Sequence, residues 1–437
     1  MTGSLASWSQ PADPTRGRIG LAAVAALALF IGSWALLHVG FFGRDQVVDT
    51  PVYQRYGDAM ADGQVPYRDF RVEYPPGALP MFVLPSLARS PAGDLDGYER
   101  GFEVLMWLCG AGALAAMAVA LLALDASPRR AAAALAFTAL APLALGSVIL
   151  TRFDLWPAAL TAVALALLLS HRPRLALGAL AAAVATKIYP AVLLPVFLAF
   201  VWRRHGRRRA LVSLGVFATI IVAVFLPFVI LAPGGVASSI GRQLSRPLQI
   251  ESLGSSFLLV AHQAFGLEIT MRSGHGSQNL VGVGADVLAV GSTVLQTGAL
   301  LAIWAWFARG RAGAERMVRA SAAAVCAFVG LGKVLSPQFL IWLVPLVPLV
   351  ARRRGLAAAG ALAGAMILTQ GWFPSSYWDL ALRFDQTASW LVFVRDLVLI
   401  GLLAILLWPL CARQGAACEP RYAPSSLAGA HLRGRLK

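Results

Sequence analysis

Apolar runs about 20 residues long, separated by short polar or basic clusters, recur from Ile19 to the last quarter of the chain. A helix of that length matches the hydrocarbon thickness of a bilayer. Lipid offers the backbone no hydrogen bonds, so such runs must be helices, and arginine clusters between long runs are unlike the alternation of a membrane barrel. The pattern predicts an all-α, polytopic membrane protein with about 10–12 transmembrane helices. The clearest runs are Ile19–Phe42, Gly101–Leu124, Ala131–Ile149, Leu155–Ser170, Leu211–Leu231, Val281–Phe307, Leu356–Trp372 and Ser389–Leu410. The first is too long for a signal-peptide core and lacks a small-residue cleavage site, so it is expected to be retained. Leu79–Leu87 and Phe257–Phe265 are too short to span and are expected to lie at the interface.

Two stretches depart from simple crossing. Between the basic clusters at Arg172–Arg174 and Arg203–Arg204 lie LALGALAAAVATKIYPAVLLPVFLAFVW. One crossing would put the clusters on opposite sides, whereas a hairpin gives two arms of roughly 20 Å at 1.5 Å per residue. The hairpin is favoured, with Lys187, Tyr189 and Pro190 at its tip, where proline breaks the ladder. Between Arg319 and Arg352 the same arrangement puts Lys333, Pro337 and Gln338 at a second tip. Non-helical backbone at depth is tolerated where it lines a cavity. A buried ammonium calls for an anion, and a phosphate is a natural one.

Composition agrees: the chain of 437 residues is 58% hydrophobic and 13% charged, which fits one polytopic body rather than several soluble domains. Residues 1–18 form a polar cytoplasmic tail, 19–410 one membrane domain with outer loops at 43–100 and 233–280, and 411–437 a basic cytoplasmic tail. This division puts the arginine clusters and both termini inside. It leaves 17 of the 21 carboxylates outside or near the outer face and only Asp13, Asp125, Glu315 and Glu419 within. The net charge of +16 is thus a topology signal with phospholipid contact rather than a nucleic-acid surface. The four cysteines offer no outward pair for a disulfide, and the six histidines lack zinc-ligand spacing.

The candidate chemistry gathers in the first outer loop, GRDQVVDTPVYQRYGDAMADGQVPYRDFRVEYPPGAL. Asp45, Asp49, Asp69 and Glu73 alternate there with Tyr53, Tyr67 and Tyr74, while Arg152 and Asp154 stand in the turn TRFDLWP. A loop this rich in carboxylates and aromatics, fixed to a membrane body, is a place for chemistry, although acids also simply solvate loops. An ion pair at the membrane edge equally accounts for Arg152 and Asp154. Asp45, Asp49 and Glu73 could also hold a hard divalent cation, and metal dependence stays open on the sequence. In the second loop, Arg242 and Arg246 run against the positive-inside bias and suit an anionic ligand or lipid headgroups.

The ordered elements VVDTPVY, GQVPY, RDFRVEYPPGAL, RFDLWPA, ATKIYPAVLLP and SPQFLIWLVPL resemble glycosyltransferase family 87 from Ile19 to Trp408. The resemblance implies a GT-C-like membrane enzyme that moves a hexose, most often mannose, from a polyprenyl-phosphate sugar to a lipid or glycan acceptor at the outer face of the cell membrane. It places the catalytic base on Asp49, although Asp45 lies four residues earlier and a local helix would turn both the same way. Inverting transfer needs a carboxylate to take the acceptor's proton and cations to stabilise the departing phosphate. Lys187, Lys333, Arg242 and Arg246 would meet that phosphate. Asp45, Asp69, Glu73, Arg152, Asp154 and Gln338 would contact the sugar or acceptor, with Tyr53, Tyr67, Tyr74 and Tyr189 stacking on the ring. The segment RPLQIE, from Arg246 to Glu251, departs from the family pattern. A transporter or flippase of a lipid-linked sugar would share the broken helices, but the one-sided carboxylates argue against it.

Overall fold

In a computed structural model of the protein, which describes residues 14–43, 47–88 and 94–408, the apolar runs are helices with shifted ends. The first run is α1 (Pro14–Leu36), closed by a 3₁₀ turn at Gly40–Gly43. The acid loop contains α2 (Thr50–Ala61), begun by Pro51 in the first turn, where a missing N–H costs nothing. A 3₁₀ turn at Pro76–Ala78 leads into α3 (Leu79–Ala88), the short apolar helix expected from the sequence. Then come α4 (Leu95–Ala123), α5 (Pro128–Leu145), a single turn α6 (Val148–Thr151) and α7 (Leu155–Leu169).

The first predicted hairpin is α8 (Pro173–Thr186), a break at Lys187 and Ile188, a 3₁₀ turn at Tyr189–Leu193, and α9 (Leu194–His205). Its two ends meet, because the rings of His171 and His205 lie 5.9 Å apart. The segment therefore turns back, as the spacing of the basic clusters requires. The second hairpin is α14 (Ala314–Gly330) followed by 3₁₀ turns at Pro337–Trp342 and Val347–Leu349. Arg130, near the start of α5, binds both Glu315 at one end of this hairpin and the Leu349 carbonyl at the other. Its returning arm is not an α-helix: Pro337, Pro345 and Pro348 remove too many donors for an α ladder.

The other elements are α10 (Arg207–Leu231), α11 (Pro233–Leu244), α12 (Leu253–Phe265), α13 (Val283–Arg309), α15 (Arg352–Gln370), α16 (Tyr377–Arg383) and α17 (Gln386–Leu407). Among the described residues five helices are long and apolar enough to cross a membrane: α1, α4, α10, α13 and α17. The most apolar window of α10 buries none of its residues and that of α13 only 11%, so their apolar surface is left for lipid. By contrast α14, with its run SAAAVCA, is buried nearly throughout, small side chains letting its neighbours approach closely.

The segment between α11 and α13 departs from the all-helical expectation. It holds a small antiparallel sheet of β1 (Leu248–Gln249), β2 (Thr270–Gly274) and β3 (Ser277–Val281), ordered β1-β3-β2. β1 also reaches the second hairpin, the Gln249 N–H donating to the Lys333 carbonyl at 2.9 Å. Two glycines allow approaches that any side chain would block. A Cβ on Gly77 would lie 2.6 Å from the Ala185 carbonyl oxygen, and one on Gly235 2.0 Å from that of Tyr67. The first contact seats the YPPG turn against the end of α8, next to Lys187.

Labelling tests the orientation given by the basic clusters. Gly63 and Gly206 carry the expected outer and inner positions but have φ of 82° and 86°, so the exposed neighbours Gln64 and Arg208 make better cysteine sites. Gln64→Cys is expected to react with an impermeant maleimide on intact cells, and Arg208→Cys only after permeabilisation. The reverse pattern would invert the topology.

Candidate active site

The sequence RFD at 152–154 is the centre of the site. Phe153 is fully buried, with its ring 4.9 Å from Tyr74, 5.3 Å from Phe82 and 5.7 Å from Tyr53. Its two neighbours turn to different partners. Asp154 is completely buried, and its Oδ1 accepts from Lys187 Nζ and from Trp342 Nε1, both at 2.6 Å. The carboxylate thus joins the tip of the first hairpin to the returning arm of the second. The Lys187 ammonium lies over three rings, 4.7 Å from the centroid of Phe153, 5.1 Å from Trp342 and 5.5 Å from Phe339. Trp342 is itself held between Tyr189, parallel at 4.0 Å, and Phe339 at 4.1 Å.

Arg152 turns to the acid loop. Its Nη1 is paired with Asp49 Oδ2 and its Nη2 donates to the Val47 carbonyl at 3.1 Å. Asp49 is the N-cap residue of α2 but makes no side-chain cap, so its carboxylate is free for the arginine. Tyr53, one turn on, donates its hydroxyl to Asp49 Oδ2 at 3.3 Å. The side chain of Asp49 remains 30% exposed while that of Arg152 is 7% exposed. A carboxylate paired with a buried guanidinium yet partly exposed is suited to accept a proton or bind a hydroxyl. Helix α2 begins only at Thr50, so residues 47–49 do not supply the local helix that would align Asp45 with Asp49, and Asp45 lies outside the described residues.

Around this pair the segment between α11 and α13 adds more charge. Arg152 lies within electrostatic range of Asp154, Glu251 and Tyr377. Arg246 lies within range of Tyr74, Glu73, Glu251 and Tyr377, and burial pushes its guanidinium below the usual arginine range. It also influences both hairpin lysines. Lys333 donates to the Leu244 carbonyl at the end of α11 at 3.0 Å, so the two lysines share Arg246 as a neighbour but have different partners.

The remaining sequence candidates divide. Tyr67, buried, gives its hydroxyl to the Tyr74 carbonyl at 2.6 Å, and with Glu73, Tyr74, Ile188 and Gln243 it lines a shallow open cleft. Glu73 also accepts from Gln243 through its carbonyl. Arg242 is half-buried on α11 and lies within range of Tyr56. Tyr53 and Tyr189 are wholly inside the packed aromatic core, where they orient Asp49 and Trp342 rather than present a face. Gln338 accepts from Ser336 in its own turn. Asp69 is spent at the surface, where hydrogen bonds from Arg68 and then from the Val65 N–H hold its carboxyl at about 2. Asp69 does not join the cluster. Among the described residues no group of three His, Cys, Asp or Glu could hold a metal ion.

Sequence reasoning left out Trp342, Glu251, Tyr377 and Arg395 as site residues. Trp342 stands in the quoted SPQFLIW element, and its indole N–H, which needs a buried acceptor, was the available signal. Tyr377 and Arg395 lie more than 200 residues from Arg152 along the chain, and nothing local ties them to it.

The buried pair gives a stability test. Removing one partner strands the other, at a cost of about 3–5 kcal/mol, whereas replacing both with neutral groups is far milder. Asp154→Asn is therefore expected to destabilise the protein strongly in detergent unfolding, and adding Lys187→Met to restore most of the loss. Additive losses in the double variant would refute the pairing.

The sequence matches the profile of glycosyltransferase family 87 over residues 73–337, more than half of the chain. A comparison with curated proteins finds no match. Among solved structures it is similar to the crystal structure of ArnT from Cupriavidus metallidurans bound to undecaprenyl phosphate. The identity is 17% and the TM-score 0.45, with 89% of this chain and 77% of that chain covered. With its family match spanning the YPP turn, the RFD centre and both hairpin lysines, this multi-pass helical membrane protein belongs to glycosyltransferase family 87.

Proposed function

We propose that this glycosyltransferase moves a hexose, with mannose as the first sugar to test, from a polyprenyl-phosphate donor to a lipid or glycan acceptor at the outer face of the membrane. Asp49 carries the proposal. It is a partly exposed carboxylate, oriented by Arg152 and Tyr53, at the same end of the bundle as Lys187 and Arg246.

In this reading the acceptor hydroxyl gives its proton to Asp49 as its oxygen attacks the anomeric carbon. The bond from that carbon to the phosphate oxygen breaks, and the polyprenyl phosphate leaves with the electron pair. Negative charge grows on the phosphate, so cations fixed beforehand lower the barrier without reorganising. Arg246 is the best-placed candidate, half-buried and within electrostatic range of both lysines; Lys187, 16% exposed, adds field from its aromatic seat. A phosphate arriving near Arg152 would compete for its guanidinium and release the Asp49 lone pair for the proton. Charge accumulates on a phosphate that is already a good leaving group, so no general acid is needed. Mannose as the sugar rests on the family resemblance alone.

If Asp49 is the base, Asp49→Asn keeps fold and donor binding but loses about 10²–10⁴-fold in turnover, because an amide takes no proton. The measurement is release of polyprenyl phosphate from a polyprenyl-phosphate hexose in the presence of acceptor lipids. Near-normal turnover by correctly inserted Asp49→Asn would remove Asp49 as the base and put Asp45, Asp69 and Asp154 to the same test. Wild-type protein that binds the donor and releases no lipid phosphate with any acceptor would favour a transporter.

A further inference from the structure

Glu251 is 1% exposed, in the segment where this sequence departs from the family pattern. Its Oε2 accepts from Gln249 Nε2, two residues before it on β1. Its Oε1 is buried and has no hydrogen-bonding partner among the described residues, and neither has Gln249 Oε1. Leaving a buried acceptor unpaired costs about 1–3 kcal/mol, and more for a charged group. Burial pushes the Glu251 carboxyl up to about 7, against the opposing influence of Arg395, Gln249, Arg152 and Arg246.

The residue is nonetheless held firmly. Arg395 Nη2 donates to the Glu251 carbonyl at 2.8 Å. Arg395 is paired with Asp396 at 2.7 Å, both fully buried on α17, and its guanidinium lies over Trp372 at 5.8 Å. Helix α17 packs along α12. A buried charge pair in a membrane helix is expensive, and this one fixes the turn before α12 through the Glu251 carbonyl. An anchored segment with unpaired acceptors calls for a ligand that brings donors.

The choice of ligand follows from hydrogen-bonding capacity. The unpaired Oε1 atoms of Glu251 and Gln249 are acceptors, and a hydroxyl brings the donor that an ionised phosphate lacks. Glu251 and Asp49 both act on Arg152. During transfer the anomeric carbon must lie against the hydroxyl that Asp49 deprotonates, so the sugar ring falls within reach of groups around that arginine. Tyr377, buried with its ring 6.5 Å from Trp372, stands in range of Glu251 as well.

We propose that Glu251, with Gln249 beside it, recognises a hydroxyl of the transferred hexose, and that the buried Arg395–Asp396 pair is its positioning device. This rests on the donor reading above. The test uses full-length protein in lipid nanodiscs and two probes, polyprenyl-phosphate mannose and sugar-free polyprenyl phosphate. Glu251→Gln, and separately Glu251→Asp, which keeps the charge and withdraws it by one methylene, should weaken binding of the sugar-bearing lipid about tenfold. Binding of the sugar-free lipid should not change. Arg395→Lys should lose the same selectivity, showing that it acts through Glu251. Equal weakening of both lipids, or no change with either, would overturn the proposal while leaving the donor reading intact. Arg395→Lys that only lowers thermal stability would overturn the positioning half. Wild-type protein that binds neither lipid would remove the donor reading itself, and this proposal with it.

Discussion

A single buried carboxylate, that of Asp154, ties the two hairpins of this protein together. Taking it out of water is tolerable only because Lys187 supplies the opposite charge and Trp342 a second donor. Those partners come from different hairpins, neither of which can close an uninterrupted helical ladder at its tip. The ion pair thus does for the two broken segments what backbone hydrogen bonds do for an intact helix. The aromatic rings around the ammonium exclude water and strengthen the attraction.

The geometry next to it follows from chain direction. Arg152 and Asp154 flank a buried phenylalanine, so fixing Asp154 and Phe153 leaves Arg152 turned toward the acid loop. The same tripeptide therefore anchors the hairpins and orients Asp49. The YPPG turn packs from the other side, its Gly77 allowing contact with the end of α8, while Trp156 Nε1 donates to the Gly77 carbonyl at 3.3 Å. Cations and carboxylates alternate across this end of the molecule: Asp49, Arg152, Asp154 and Lys187, then Arg246 and Glu251. Such alternation keeps each charge affordable and leaves a field that an arriving anion could redistribute.

The opposite end is simpler. Arg130 gathers Glu315 and the Leu349 carbonyl, Arg203 the carbonyls at the end of α13, and Arg316 and Arg319 lie over Trp306. These contacts tie helix ends together and expose positive charge suited to phospholipid headgroups.

Much of this was legible in the sequence, for reasons that can be named. The helices follow from apolar length, and the hairpins from two basic clusters too close for a full return crossing. Lys187 stood out because charge beside apolar runs is costly enough to demand a reason, whereas Asp49 was singled out by the family resemblance. Other features depended on tertiary contacts. Asp69 and Asp49 look alike in the acid loop, yet one closes a surface turn on Arg68 and the other meets a buried arginine 103 positions away. The small sheet has strands of two to five residues with little apolar alternation, too short for periodicity to reveal. Glu251 gave no local sign of burial, since its anchor, Arg395, lies 144 residues further on. The sequence by itself determined which segments must leave water and which charges would need partners. Only the tertiary structure decided the partners, because a buried charge is satisfied by whatever the packing brings to it, at any distance along the chain.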